Sequence, residues 1–249
     1  MLSDFSISGK QILVVGATSG LGRAFALHAA GHESTIYITG RNREVLDDLR
    51  REFPRQVCLN DRCDIRSKDE RSSYISAIEK PLNGIVFFSG ITEYAPLKFQ
   101  SEESITDVID TNFTSNILFL KELSKQKKIA PSASVVFLSS VSAQRGGSPG
   151  ISIYAATKGA IESVVKVLSL EFAKSRVRIN AIAPGLVMTP MMTQQTTLSP
   201  EQIKEQEKKY PLGYGKTDDI SNLIHFLISD ASGWITGTTI TIDGGYSNS

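Results

Sequence analysis

Short apolar runs alternate with longer helix-like segments along nearly the whole chain, and this rhythm restricts the fold more than any other feature. Residues 11–15 read as a strand ending at Gly16, and residues 35–39 as a second ending at Gly40. Residues 56–59, 84–88, 135–138 and 177–182 repeat the pattern, and 238–242 supply a late run. These runs are β-branched or continuously apolar, as expected of strands buried on both faces. Helices are predicted near 20–31, 42–52, 67–79, 101–128, 153–174 and 217–229. Such alternation predicts an α/β fold, a doubly wound parallel β-sheet flanked by helices on both faces.

No linker rich in proline, glycine or serine divides the 249 residues, so a single domain is expected. The stretch 186–210 breaks the rhythm. It follows Pro184-Gly185, carries Met188, Met191 and Met192, and then turns polar and charged. Flexible thioethers suit an adaptable apolar wall, and a long interruption after a strand is where α/β proteins place lids.

Charge and cysteine content exclude several functions. With 27 basic against 26 acidic residues, the net charge of +1 gives no long-range attraction to polyanions, so neither nucleic acid nor an anionic membrane is an expected partner. The first residues lack the pattern of a signal peptide, and no apolar run approaches the ~18 residues of a membrane span. Cys58 and Cys63 form neither a disulfide framework nor a C-x-x-C pair. His28, His32 and His225 are scattered, and no metal-ligand cluster is visible. A soluble, cytoplasmic protein with reduced thiols is the expectation.

Gly16-Ala17-Thr18-Ser19-Gly20-Leu21-Gly22 follows the first strand and opens the first helix. That is where a dinucleotide pyrophosphate sits in doubly wound folds, held by backbone N–H groups and the helix dipole. Gly16 permits the sharp turn, Gly20 a close approach to phosphate, and Gly22 close packing of helix on sheet. The second strand ends at Gly40-Arg41-Asn42-Arg43, where an NAD site would carry an acidic residue. A guanidinium there favours the 2′-phosphate of NADP(H) over NAD(H); the lesser alternative is that Arg41 and Arg43 form a solvated turn. Asp64, in Cys63-Asp64-Ile65 after the third strand, is positioned to accept a hydrogen bond from an adenine amino group.

Tyr154 and Lys158 are four apart at the start of an apolar helical segment, which puts both on one helical face. A nearby ammonium favours tyrosinate, and a phenol with its pKa lowered in this way can exchange a proton with an alcohol or carbonyl oxygen. Tyr94 and Lys98 share the spacing, but Pro96 between them disfavours a regular helix. Ser139-Ser140 ends the fifth strand, and a glycine-rich turn, 146–150, leads back towards the tyrosine. The Ser140 hydroxyl could reach the substrate oxygen that Tyr154 protonates, or it could simply cap a helix.

Taken together, Gly16, Gly20, Gly22, Asp64, Asn112, Ser140, Tyr154 with Lys158, Pro184-Gly185 and the ending Trp234 to Gly245 resemble the short-chain dehydrogenase/reductase family over essentially the whole chain. The likeness is greatest to its 3-oxoacyl reductase and ketoreductase branch. It implies a Rossmann-like fold and an NADP(H)-dependent oxidoreductase that interconverts a ketone and a secondary alcohol. Tyr154 would be the general acid/base, Lys158 would tune it and hold the nicotinamide ribose, and Ser140 would orient the substrate carbonyl. Asn112 would anchor a proton-relay water, unless it is a structural amide inside a helix. The resemblance also implies a cofactor set of Gly16, Thr18, Ser19, Gly20, Leu21, Gly22, Arg41, Asp64, Ile65, Gly90, Tyr154, Lys158, Pro184, Gly185, Val187 and Thr189. Val187 and Thr189 would meet the carboxamide. It further implies a homo-oligomer, a tetramer or dimer.

One departure stands out. The family pattern Asn-Asn-Ala-Gly is replaced by Phe87-Phe88-Ser89-Gly90, which removes an amide that braces neighbouring strands. This change motivates an alternative, an NADP-binding sensor or scaffold with lost turnover. An enoyl reductase is a further alternative, but such relatives have a longer Tyr-to-Lys spacing.

Overall fold

A computed structural model of the chain describes residues 2–145, 147–189 and 199–249. Seven parallel strands form one sheet in the order β3-β2-β1-β4-β5-β6-β7. They are β1 (Gln11–Val15), β2 (Thr35–Thr39), β3 (Val57–Leu59), β4 (Leu82–Phe87), β5 (Ile129–Leu138), β6 (Arg178–Pro184) and β7 (Thr239–Ile242). The order reverses between β1 and β4, whose registers bring Val15 beside both Thr39 and Phe87. A crevice opens outside the carboxyl ends of strands at such a reversal, and the glycine turn lies there.

Period-2 alternation sends successive apolar side chains to opposite faces, and both faces are covered. Ile12 and Val14 join a core with Phe25 and Ala29 of α1 (Gly20–Gly31), Leu46 and Leu49 of α2 (Arg43–Glu52), and Ile224 of a later helix, Thr217–Ile228. Leu13 and Val15 join the other core, with Ile75 of α3 (Lys68–Ser76). The chain has thus crossed to this face by α3; α4 (Glu102–Ile109) follows, and the core there is completed by Phe119 of α5 (Ser115–Lys125) and Ile161 and Val165 of a long helix, Ser152–Glu171. Among the described residues no helix is long and apolar enough to cross a membrane.

The structure differs from the expected elements in four places. The predicted helix over 101–128 is two helices, α4 and α5, joined by a π-helical turn, Asp110–Thr114. The fifth strand starts at Ile129, well before Val135; Pro131 and the left-handed Ser132 (φ 60°) mark an irregular, polar beginning that masks its strand pattern. The turn between β5 and the long helix includes α6 (Ser142–Arg145), and that long helix is α7. Beyond β6, residues 200–207 form a helix, α8 (Pro200–Glu207), whose Ser199 and Gln202 complete a capping box. The S-x-x-Q signal for it was present in the sequence.

The histidines are not scattered in space. Helix α1 packs against α9 (Thr217–Ile228), and this brings His225 against His28 and His32. Burial, with His32 and His225 as neighbours, lowers the His28 pKa to about 4.

Candidate active site

The glycine turn leaves β1 at Gly16, whose φ of 88° favours glycine. The amides of Gly16 and Ala17 both donate to the Thr39 carbonyl at 2.9 Å, which ties the turn to β2. A Cβ at Gly22 would collide with the Gly16 carbonyl, so α1 approaches the turn more closely than any side chain would allow. Ser19 is the extended N-cap of α1 and makes no side-chain cap bond, leaving first-turn amides for an anion.

These residues form one wall of a cleft of about 250 Å³. Ser140, Tyr154 and Lys158 stand on a second wall, and Pro184, Gly185, Val187 and Thr189 on a third. An adjoining hollow of about 90 Å³ is lined by Thr18, Arg41, Asp64 and Ile65, with Gly16 and Gly90 common to both. The two arginines of the second turn separate here. Arg43 is bound to Asp47 at 3.1 Å and to Asp61 at 3.2 Å. Arg41 is exposed at the hollow and makes no hydrogen bond or ion pair among the described residues. Arg66 holds Asp64 through two guanidinium bonds of 3.2 and 3.0 Å and its backbone amide at 3.0 Å, and this pairing lowers the carboxyl pKa. A carboxylate has a lone pair beyond those three.

The end of β5 and the first turns of α7 bring the polar triad together. Ser140 Oγ accepts the Ser142 amide at 3.2 Å, and its hydroxyl lies near enough to the Tyr154 phenol to draw the phenol's pKa down. The capping role and the site role therefore coexist in one hydroxyl. Lys158 is buried, donates from Nζ to the Leu138 carbonyl at 2.7 Å, and sits 5.5 Å from the Tyr154 ring centroid. The expected lowering of the phenol pKa is overturned. Burial raises it, and only the neighbouring Ser140 hydroxyl pulls it back. Burial also lowers the Lys158 pKa from 10.5 to about 8.

This burial has a measurable cost. Between pH 8 and 10.5 the unfolded chain keeps a proton that the folded chain has released, so stability contributed by Lys158 rises with pH there and is lowest below 8. Replacing it by methionine (Lys158→Met) is expected to stabilise the protein near neutrality by about 1–3 kcal/mol, read as a higher denaturant midpoint. The gain should shrink as pH climbs from 8 towards 10.5. A lower midpoint at neutral pH would show that the bond to Leu138 outweighs the burial.

Asn112 sits in the π turn, behind the cleft. Its Oδ1 accepts the Ile91 amide at 2.7 Å, while Nδ2 donates to the Ile91 carbonyl at 2.9 Å and to Thr157 Oγ1 at 3.1 Å. It thus braces the segment after Gly90 against α7 beside Lys158. A π turn is a frequent mark of functional sites, since one additional residue re-aims a side chain.

A family model described as enoyl-(acyl carrier protein) reductase matches residues 16–247. The 3-oxoacyl-(acyl-carrier-protein) reductase of Rickettsia felis is 33% identical over 242 residues, spanning 96% of this chain and 97% of that one. The L-xylulose reductase of Bos taurus is 32% identical over 255 residues, spanning 98% of each. A crystal structure of a short-chain dehydrogenase/reductase from Brucella melitensis, titled glucose/ribitol dehydrogenase, superposes with a TM-score of 0.89 at 28% identity, covering 97% and 98%. The chain belongs to the short-chain dehydrogenase/reductase family.

Within this family fold the altered segment is packed rather than damaged. Phe87 is buried and stacks on Phe137 at 4.8 Å and 9°, with Phe119 edge-on at 6.1 Å. Phe88 lines the cleft and its ring meets Phe25 at 5.8 Å. An amide supports the segment from another element: Asn116 Nδ2 donates to the carbonyls of Ser89 at 3.3 Å and Asn112 at 3.0 Å. Sequence reasoning missed Asn116, although its four-residue spacing from Asn112 on a helix was a usable signal. Thr157, the partner of Asn112, was also missed, and so were Thr92 and Leu138 on the cleft wall.

The interruption after β6 is partly described. Val187 pairs with Gly215, the Met188 amide donates to the Gly215 carbonyl at 2.9 Å, and Tyr210 Oη accepts the Leu186 amide at 3.2 Å. Met191 and Met192 lie outside the described residues, as does Gly146 of the glycine-rich turn. Tyr94, the other tyrosine with a lysine at plus four, is exposed and in no helix.

Proposed function

We propose that this protein interconverts a ketone and a secondary alcohol with NADP(H), using Tyr154 as general acid/base. The observation that carries the reading is the convergence of Ser140, Tyr154 and Lys158 with the glycine turn on the walls of one cleft. The cleft fits a dinucleotide: free helix N-terminal amides face it, and the Gly22–Gly16 contact leaves backbone alone in the cradle. Gly16, Ser19, Gly20, Leu21 and Gly22 would hold the pyrophosphate, Asp64 and Ile65 the adenine, Gly90 the adenosine ribose, and Pro184, Gly185, Val187 and Thr189 the nicotinamide. When bound, the cofactor supplies or accepts the hydride.

The chain's own residues govern the proton. Burial keeps the Tyr154 phenol protonated at neutral pH, which suits an acid waiting for a carbonyl oxygen. Ser140, beside the phenol on the same wall of the cleft, would orient that oxygen towards it. Lys158, 5.5 Å from the ring centroid, would hold the nicotinamide ribose beside the phenol. Asn112 keeps the backbone beside Lys158 in place, and a water held there would return protons from bulk. The segment 186–210 would close over an apolar substrate. Reduction of 3-oxoacyl and sugar ketones by the named relatives supports ketone chemistry, as does the four-residue Tyr-to-Lys spacing. Exposed Val167, Leu170 and Trp234 support a homo-oligomer.

Turnover of NADPH against a panel of β-ketoacyl thioesters, cyclic ketones, aromatic ketones and sugars tests this reading. Tight NADPH binding with no turnover on any member would move it to the sensor alternative. Arg41→Ala tests the cofactor choice. Loss of a free guanidinium from a 2′-phosphate is expected to raise the KM for NADPH by about 10–100-fold, with NADH little changed. Equal losses with both cofactors would remove the role given to Arg41.

A further inference from the structure

Away from the cleft, three imidazoles with no part in the proposed reaction meet at one point. His28 and His32 are four apart at the end of α1, and His225 reaches them from α9. The ring centroids are 4.5 Å apart for His28 and His32, 5.1 Å for His28 and His225, and 4.7 Å for His32 and His225. One nitrogen from each ring can be chosen so that all three lie within 4.8 Å of one another. We propose that His28, His32 and His225 bind one divalent first-row transition ion, of which zinc is the representative, and thereby clamp α1 to α9.

The hydrogen bonds fix which nitrogens are available. A backbone carbonyl only accepts, so the 2.8 Å contact between His225 Nε2 and the Phe5 carbonyl puts the proton on Nε2. His225 Nδ1 is then a bare lone pair, and it faces His28 Nε2 at 2.9 Å. The metal-free cluster needs a proton on His28 Nε2 to make that contact. Metal entry moves this proton to Nδ1 of the same neutral ring, so the charge of the ligands is unchanged. Two nitrogens on a tetrahedral ion with bonds of about 2.0–2.1 Å lie about 3.3 Å apart, a small step from the contact present.

The surroundings suit a metal as well as the donors do. Metal-bound imidazoles characteristically give their other N–H to a carbonyl or carboxylate, and the Phe5 carbonyl fills that role for His225. The Phe5 ring stacks on Phe226 at 6.0 Å, which holds the carbonyl in place. His32 is exposed and provides an entry path and a ligand free to adjust, while His28 and His225 are half-buried and set by packing. Three imidazoles without carboxylate favour zinc and its neighbours and disfavour magnesium and calcium.

Untagged, chelator-stripped protein should be titrated with Zn²⁺ by calorimetry and with Co²⁺ in the visible range. One Zn²⁺ per chain is expected, with ligand-field bands for Co²⁺, a raised melting temperature with Zn²⁺ and none with Mg²⁺. Removal of a single ligand, His32→Gln or His225→Gln, should weaken zinc by about 100-fold and abolish the bands. His32 is exposed, so the first variant tests the site without endangering the fold. Cys58→Ser, which removes the exposed thiol, should bind as the parent does. The proposal is overturned if the parent shows no saturable zinc binding, or if His32→Gln and His225→Gln bind zinc as tightly as the parent.

Discussion

Replacing Tyr154 by phenylalanine is expected to lower kcat for ketone reduction by about 10³-fold, within the range a positioned acid/base group contributes. The substitution removes one oxygen and keeps the ring, so NADPH affinity should stay within about threefold of the parent. The Tyr154 side chain is half-buried on the cleft wall beside Ser140, and Lys158 Nζ lies 5.5 Å from its ring centroid. The lost atom is therefore the one that would meet the substrate, with little else disturbed. Ser140 keeps its bond from the Ser142 amide, so no buried hydroxyl is orphaned. Steady-state turnover and cofactor binding, measured separately, distinguish the outcomes. A variant that binds NADPH normally and still turns over at the parent rate would end the general-acid assignment.

Much of the sheet was legible because buried parallel strands leave a strong mark. Gln11–Val15 and Thr35–Thr39 are apolar on both faces and end in glycine, and both were read to the residue. Local competition explains the misses. Nothing in Asp110-Thr111-Asn112-Phe113-Thr114 distinguishes a π turn from an α-helix, since both satisfy the backbone and differ by one residue of register. The polar start of β5 is a strand only because Ile129 finds Leu82 on β4 and Ser134 finds Gly84 on β4 and Arg178 on β6.

The site was legible where spacing along one element carries the chemistry. The Gly16–Gly22 turn and the Tyr154–Lys158 pair are of that kind. Contacts between elements left weaker traces. Arg41 and Arg43 look interchangeable in sequence, and only the positions of Asp47 and Asp61 assign Arg43 to an ion pair. The direction of the Tyr154 pKa depends on burial, which a four-residue spacing does not encode. His225 lies on α9, far along the chain from His28, so only the packing of α1 on α9 brings the cluster together.

Restoring the family's amide at Phe87 is expected to destabilise this protein rather than repair it. Phe87 is fully enclosed, parallel to Phe137 at 4.8 Å and edge-on to Phe119 at 6.1 Å, and its strand register places it beside Val15 and Phe137. Phe87→Asn deletes an aromatic ring from that cluster and introduces an amide that must find partners there. Cavity formation and polar burial together should cost about 3–5 kcal/mol, a fall in Tm of roughly 10 °C for a chain of this size. Phe87→Leu keeps the apolar character and should lose only about 1–2 kcal/mol. If Phe87→Asn proves neutral, the new amide has found partners of its own, and bracing by amide and by aromatic stack would be equivalent solutions. If it is strongly destabilising, as the ring geometry requires, the neighbours at 119 and 137 have committed this sheet to aromatic packing.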